Sequence, residues 1–189
     1  MPNLPISQLP ELTAMTQNAE FAVAQGGTTY RVKRGNLASG KLFLSAYETA
    51  GQSGFTINTP YSVSASTIAG SAGITVLDNS KFQVQSGGTF NLEFSLQLTK
   101  LQGGTEEEID IWLAKNGVDV EWSNTRITFA NNGVLAVAAW NFVETMNTND
   151  YLELKFSVSD EEIVIFSLPP QTSPTRPGIP SSIITLTQI

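Results

Sequence analysis

The chain has 189 residues, 41% of them hydrophobic, and 17 acidic against 10 basic side chains give a net charge of −7. That suffices for one medium domain with an appendage, or two small ones, and it excludes wholesale disorder and makes nucleic acid a poor partner, since phosphate contacts need clustered cations. Cysteine and histidine are both absent, which removes disulfides, thiolate chemistry, any Ser-His or Cys-His arrangement and the commonest imidazole base and metal ligand.

Met1-Pro2-Asn3-Leu4-Pro5 lacks the basic region and apolar run of a secretory leader, and no stretch approaches the roughly 18–20 apolar residues that span a bilayer. The expectation is a protein made in a cell's cytoplasm, with no membrane insertion. Pro2, Pro5 and Pro10 give an extended start, and Ser7 to Leu12 is expected to form a single helical turn at most. Glu20–Gln25, Gly26-Gly27 and Thr28–Lys33 then read as a small hairpin. A two-residue turn at the glycines sets Val23 opposite Tyr30, Phe21 opposite Val32 and Glu20 opposite Lys33, an opposite-charge cross-strand pair. An isolated hairpin is marginal in water, so residues 1–40 are expected to be an arm that docks onto something else, and residues 41–189 a separate domain.

From Lys41 on, strands and turns follow closely. Leu42–Tyr47 is a strand, Gly51–Gly54 a loop, and Thr56–Ala65 and Gly73–Val84 supply short strands among Ser, Gly and Asn. Between Thr89 and Leu101, Phe90, Leu92, Phe94, Leu96 and Leu98 alternate with polar residues, the period of a strand with one wet face. Glu108–Ala114 follows, and Asn116-Gly117 is a type I′ hairpin signal that sets Leu113 opposite Val120 and Ile111 opposite Trp122 in the returning strand Val118–Trp122. Thr125–Ala130 is next, with Asn132-Gly133 as a second hairpin signal. Val134–Val143 shows no polar alternation before Asn141 and is expected to be buried on both faces. Tyr151–Val158 alternates again, with Leu152, Leu154, Phe156 and Val158 inward. Ile163–Leu168 and Ser182–Ile189 complete the set, joined across a stretch whose five prolines (Pro169 to Pro180) predict an extended loop without regular structure. About ten short strands with frequent turns predict an all-β two-sheet sandwich or jelly roll.

The segments Gly88-Thr89-Phe90-Asn91-Leu92-Glu93-Phe94-Ser95, Asp110-Ile111-Trp112-Leu113-Ala114-Lys115-Asn116-Gly117, Ala138-Ala139-Trp140-Asn141-Phe142, Asp150-Tyr151-Leu152-Glu153-Leu154 and Ser173-Pro174-Thr175-Arg176-Pro177 resemble the TNF/C1q-like jelly roll in the version found in phage structural proteins. Residues 4–37 resemble the N-terminal segment of phage fibre and virion-attachment proteins. The resemblance implies a homotrimer on a virion, its jelly-roll knob packed around a threefold axis and anchored to a capsid or tail protein through residues 1–40. The anchoring contacts would come from Leu9, Leu12, Phe21, Val23, Tyr30, Arg31, Lys33 and Arg34. Ala136, Ala138, Trp140 and Phe142 are the expected trimer contacts, where small residues permit close approach. Forty extended residues reach about 140 Å at roughly 3.3–3.6 Å each, and there is no heptad or repeat to build a shaft. The knob is therefore expected near the particle surface, as a head fibre, capsid decoration or short tail-fibre subunit.

Enzymatic and ligand-binding alternatives rest on a few residues. Glu106-Glu107-Glu108 with Asp110, and Asp160-Glu161-Glu162, offer paired carboxylates of the kind used in glycoside hydrolysis by a depolymerase. They also offer oxygen ligands for Ca²⁺, but no calcium-loop spacing occurs and both runs lie between predicted strands, where solvated connections are expected. No cofactor and no metal site is expected. Among the tryptophans, Trp112 is the candidate glycan contact of a receptor-binding fibre tip, while Trp122 and Trp140 are expected in the core. Arg31, Lys33 and Arg34 suit an acidic protein surface better than nucleic acid. Gly26-Gly27 and Gly103-Gly104 read as turns rather than phosphate loops.

Overall fold

The computed structural model describes residues 20–33, 40–54, 56–104 and 106–189. The chain divides into two units, Met1–Gly40 and Lys41–Ile189. In the first, strands β1 (Glu20–Gln25) and β2 (Thr28–Lys33) form a hairpin. Gly26 and Gly27 both take positive φ, 59° and 78°, which brings Glu20 opposite Lys33, Phe21 opposite Val32 and Val23 opposite Tyr30, the register expected from the sequence. Arg31 and Lys33 also lie on β2. Leu9, Leu12, Arg34 and the turn expected at Ser7 to Leu12 lie outside the described residues.

The second unit continues with β3 (Phe43–Glu48), β4 (Gln52–Ser53), β5 (Tyr61–Ser62), β6 (Thr67–Ala72), β7 (Ile74–Leu77), β8 (Lys81–Val84), β9 (Gly88–Lys100), β10 (Glu107–Lys115), β11 (Val118–Asp119), β12 (Thr125–Phe129), β13 (Leu135–Met146), β14 (Tyr151–Val158), β15 (Ile163–Ile165), β16 (Gln171–Thr172), β17 (Thr175–Arg176) and β18 (Ser182–Gln188). Two antiparallel sheets result. One runs β4-β15-β9-β18-β3-β6 with β13 on the other side of β9, and the second runs β11-β10-β14-β8-β7 with β12 on β10 and β5 on β14.

The alternation in β9 works as the sequence implies. Phe90, Leu92, Phe94, Leu96 and Leu98 are buried, and they meet Ile109, Ile111 and Leu113 of β10 and Leu152, Leu154, Phe156 and Val158 of β14 in one core. Leu44, Ala46, Ile184 and Leu186 complete the inner face of the β9 sheet. Burial of these side chains stabilises the sandwich by roughly 1.5–3 kcal/mol for each large one, and the ladder hydrogen bonds leave few polar groups unpaired inside.

The structure corrects three expectations about connections. The Asn132-Gly133 pair does not close a hairpin: β12 pairs with β10 and β13 pairs with β9, so the chain crosses from one sheet to the other there. Of the two residues Gly133 has positive φ, 72°, and its N–H donates to the Lys100 carbonyl at 2.7 Å, whereas a type I′ turn needs both central residues left-handed. The proline-rich crossing carries a short hairpin of its own, β16 with β17, pinned at its base by the Leu168–Ile179 bridge; local pairing within a loop is possible where the N–H groups used are not those of proline. The Gly51–Gly54 segment includes β4, which pairs with the end of β15.

Candidate functional site

The strand Leu135–Met146 departs most from its sequence reading. It is an edge strand, paired along its length with β9, and its burial alternates. Leu135 is 67% exposed, Val137 59% and Val143 54%, with Ala139 and Asn141 also exposed between them. Burial on both faces is therefore wrong: the lack of polar alternation comes from apolar residues on a wet face. The alternate residues Ala136, Ala138, Trp140 and Phe142 point to the core side. Ala138 is buried, and Ala136, Trp140 and Phe142 are partly buried against the core. Trp140 packs edge-on to Phe94 with ring centroids 4.6 Å apart, and its indole N–H is buried with no acceptor among the described residues.

The register carries the outward face across the sheet. Val137 lies beside Gln97, Ala139 beside Ser95 and Val143 beside Asn91; Ile183 lies beside Ser95 and Tyr47. Of the outward positions on β3, β9, β13 and β18, Glu93 alone carries a charge, and the Asn91 amide donates to it at 2.8 Å while Asn141 donates to Asn91. At the β3 end of this face a groove of about 600 Å³ opens between Tyr47, Ile183 and the proline-rich crossing, lined by Leu168, Pro169, Pro170 and Ile179.

The opposite sheet presents a different surface. Asp110 and Trp112 point outward from β10, with Ser157 and Lys155 beside them on β14 and Arg126 beside Asp110 on β12. Arg126 grips the Asp110 carboxylate through Nε at 3.0 Å and a second guanidinium nitrogen at 2.9 Å, and Asn124 Nδ2 donates to the same carboxylate at 3.0 Å. The Arg126 hydrogen bond first, then that of Asn124 and the guanidinium charge, outweigh partial burial and hold this carboxyl below its ordinary range. Arg126 also meets Glu108 at 2.8 Å. Glu107 accepts from Ser159 Oγ at 2.9 Å, and Asp160 accepts from the Glu162 N–H at 2.8 Å. Glu107, Glu108, Asp110 and Asp160 are thus engaged in local ion pairs and turn hydrogen bonds, and no group of three or more acidic side chains converges on a metal position among the described residues.

Asn116-Gly117 turns the chain as expected, with φ of 53° and 78°, and Val120 N–H donates to the Leu113 carbonyl at 2.9 Å. The ladder then stops short of the predicted Ile111–Trp122 pair, because Ile111 lies opposite Thr125 instead. Ser123 is the cause. Its buried hydroxyl accepts from Leu113 N–H at 3.1 Å and donates to the Val120 carbonyl at 2.7 Å. Its own N–H bonds the same Val120 carbonyl at 3.3 Å. This closes a four-residue turn whose third residue, Trp122, alone has positive φ, 62°, as a type II turn requires at that position.

Trp122 is thereby thrown outward and is 99% exposed, so its expected place in the core is wrong. Trp112, the sequence-level glycan candidate, is half-buried, and its indole N–H donates to Asp119 Oδ1 at 2.7 Å. The two tryptophans border a cleft of about 440 Å³ that also includes Asp110, Asn124, Ser157, Asn58 and Pro60. Sequence reading missed Trp122 because the turn that exposes it depends on the buried Ser123 hydroxyl, and nothing local marks that serine.

No family model and no curated protein matches the chain. Among solved structures it is similar to the globular domain of the zebrafish complement 1qA protein, at 12% identity over 79% of this chain and 98% of that one with a TM-score of 0.50. It is also similar to murine APRIL, at 9% identity over 79% of this chain and 100% of that one, again with a TM-score of 0.50. At these identities the likeness is one of fold, and the fold of the chain is the all-β C1q- and TNF-type jelly roll.

Proposed function

We propose that this chain is a non-enzymatic structural protein of a bacteriophage virion. In this reading it is a homotrimeric jelly-roll knob held near the particle surface, as a head fibre, capsid decoration or short tail-fibre subunit, by the arm of residues 1–40. The observation that supports self-association is the outward face of the β13-β9-β18-β3 sheet. In a chain of net charge −7, like-charge repulsion opposes contact between copies almost everywhere, yet this face carries one carboxylate and exposes Leu135, Val137, Val143, Ile183 and Phe43. An apolar patch of this kind marks an interaction surface, and a long edge strand such as β13 is normally shielded. A second copy fits because, around a closed threefold axis, the β13 end of this nearly uncharged face on one copy can meet the groove at its β3 end on the next. Trp140 and Phe142 then act from behind, packing β13 against the core so that its outer residues are presented rigidly.

Light scattering on the purified chain tests the assembly. A species of three times 20.3 kDa is expected, with Val137→Asp reducing it to the single-chain mass without loss of the β-sheet circular dichroism. A parent chain that scatters at 20.3 kDa at all concentrations overturns the trimer. Labelling of intact particles with antibody against the knob tests the placement, and removal of residues 1–40 is expected to abolish attachment while leaving the trimer intact.

A further inference from the structure

The cleft over Trp112 is unrelated to the proposed assembly face, since it lies on the outer side of the other sheet. We infer that it is a carbohydrate-binding site, with Trp122 as the stacking plane for a neutral pyranose residue. The first ground is the cost of placing tryptophan where it stands. A left-handed residue costs about 1–2 kcal/mol unless it is glycine, or asparagine or aspartate to a lesser degree, and Trp122 adopts φ of 62° while exposing nearly all of its ring to water. Neither the turn nor the core has use for an indole there. Backbone strain concentrates at ligand clamps, and an exposed indole is a broad apolar plate that accepts the C–H face of a sugar ring.

The second ground is the polar complement around that plate. Trp112 forms the floor and is immobilised through Asp119, so its orientation is set before a ligand arrives. Asp119 keeps its second carboxylate oxygen available as an acceptor. Asp110 is held in place by Arg126 and Asn124. The side chains of Ser157 and Asn58 have no hydrogen bond among the described residues, so both are available to hydroxyl groups in the cleft lined by these residues. A mostly preformed cleft with an apolar plate and a few convergent polar groups is the usual build of a small-ligand site.

Charge selects among ligands. Two carboxylates on the rim disfavour uronic acids, sialic acids and phosphorylated sugars. Arg126 pairs Asp110 and the Trp112 N–H pairs Asp119, and the two rings border an open cleft rather than enclosing a point, so a quaternary ammonium cage is also disfavoured. A neutral sugar remains.

Titration of the full chain with a panel of neutral oligosaccharides built from glucose, galactose, mannose or N-acetylglucosamine, followed by tryptophan fluorescence, tests the inference. Sialyllactose, oligogalacturonate and tetramethylammonium serve as charged controls. At least one neutral oligosaccharide is expected to bind and shift the emission, and Trp122→Asn to weaken it at least tenfold while the thermal transition stays or rises. Ser157→Ala, which removes one hydroxyl partner without touching the turn, is expected to weaken it severalfold. Absence of binding to the whole panel at millimolar concentrations overturns the inference, as does undiminished binding by Trp122→Asn or tighter binding of any charged control. It fails independently of the trimer, which the same preparation reports by light scattering.

Discussion

The indole of Trp112 and the carboxylate of Asp119 are joined by a 2.7 Å hydrogen bond across the Asn116-Gly117 hairpin. The bond requires Asp119 to pair with Ala114, and that register depends on two consecutive left-handed residues at the turn. Gly117, at φ of 78°, is the one a side chain tolerates least, and a Cβ there would also meet the Tyr151 hydroxyl at 3.3 Å. Gly117→Ala is expected to destabilise the fold by about 1–2 kcal/mol, read as a lower urea midpoint at unchanged slope.

Trp122 offers the opposite case. Replacement by asparagine keeps a residue that tolerates φ of 62° and removes an exposed ring. Trp122→Asn is expected to raise stability by about 0.5–1 kcal/mol, less than the full strain of about 1–2 kcal/mol because asparagine keeps part of it. Equilibrium urea unfolding checks it, and a lower midpoint means that the ring is held by packing instead.

Neighbours on β9 differ by which way they point. Leu96 is fully buried between the sheets, whereas Gln97 faces outward. Leu96→Ala is expected to cost about 2–5 kcal/mol, and Gln97→Ala to stay within roughly 0.5 kcal/mol. Thermal denaturation of the two variants side by side decides whether the alternation governs stability.

The acid limb of stability has identifiable carboxylates. Arg126 lowers Asp110, and the Asn147 N–H followed by the Asn116 amide lowers Asp150. Each folded pKa lies below the unfolded value of about 3.9. The stabilisation from these groups is thus complete above that value and is lost as pH falls through the folded pKa. Asp110→Asn is expected to lower stability at neutral pH and to flatten the decline below about pH 4. A parallel decline in both proteins would show that Asp110 does not contribute. Because Arg126 is largely exposed, the pair is a minor contributor at neutral pH.

The sequence by itself determined the sandwich, because period-two alternation in β9 and β14 and paired left-handed residues at Gly26-Gly27 and Asn116-Gly117 act between near neighbours. Each residue's choice of face or turn conformation is set by steric and hydrophobic terms local to it. The β1–β2 register was legible for the same reason. Tertiary structure alone decided which strands lie at an edge. Val134–Val143 reads as doubly buried, yet β13 is an edge strand exposing Leu135, Val137 and Val143, since apolar composition does not tell whether a neighbour covers a face. It also decided the fate of the tryptophans. Trp122 leaves the ladder because the Ser123 hydroxyl folds back on Leu113 and Val120, and Trp112 becomes a cleft floor because residues from β10, β11 and the turn after it, β14 and the loop before β5 meet there. The cleft joins positions distant in the chain, and the Ser123 contacts, though they span only ten residues, leave no periodic or turn-residue signal in the sequence.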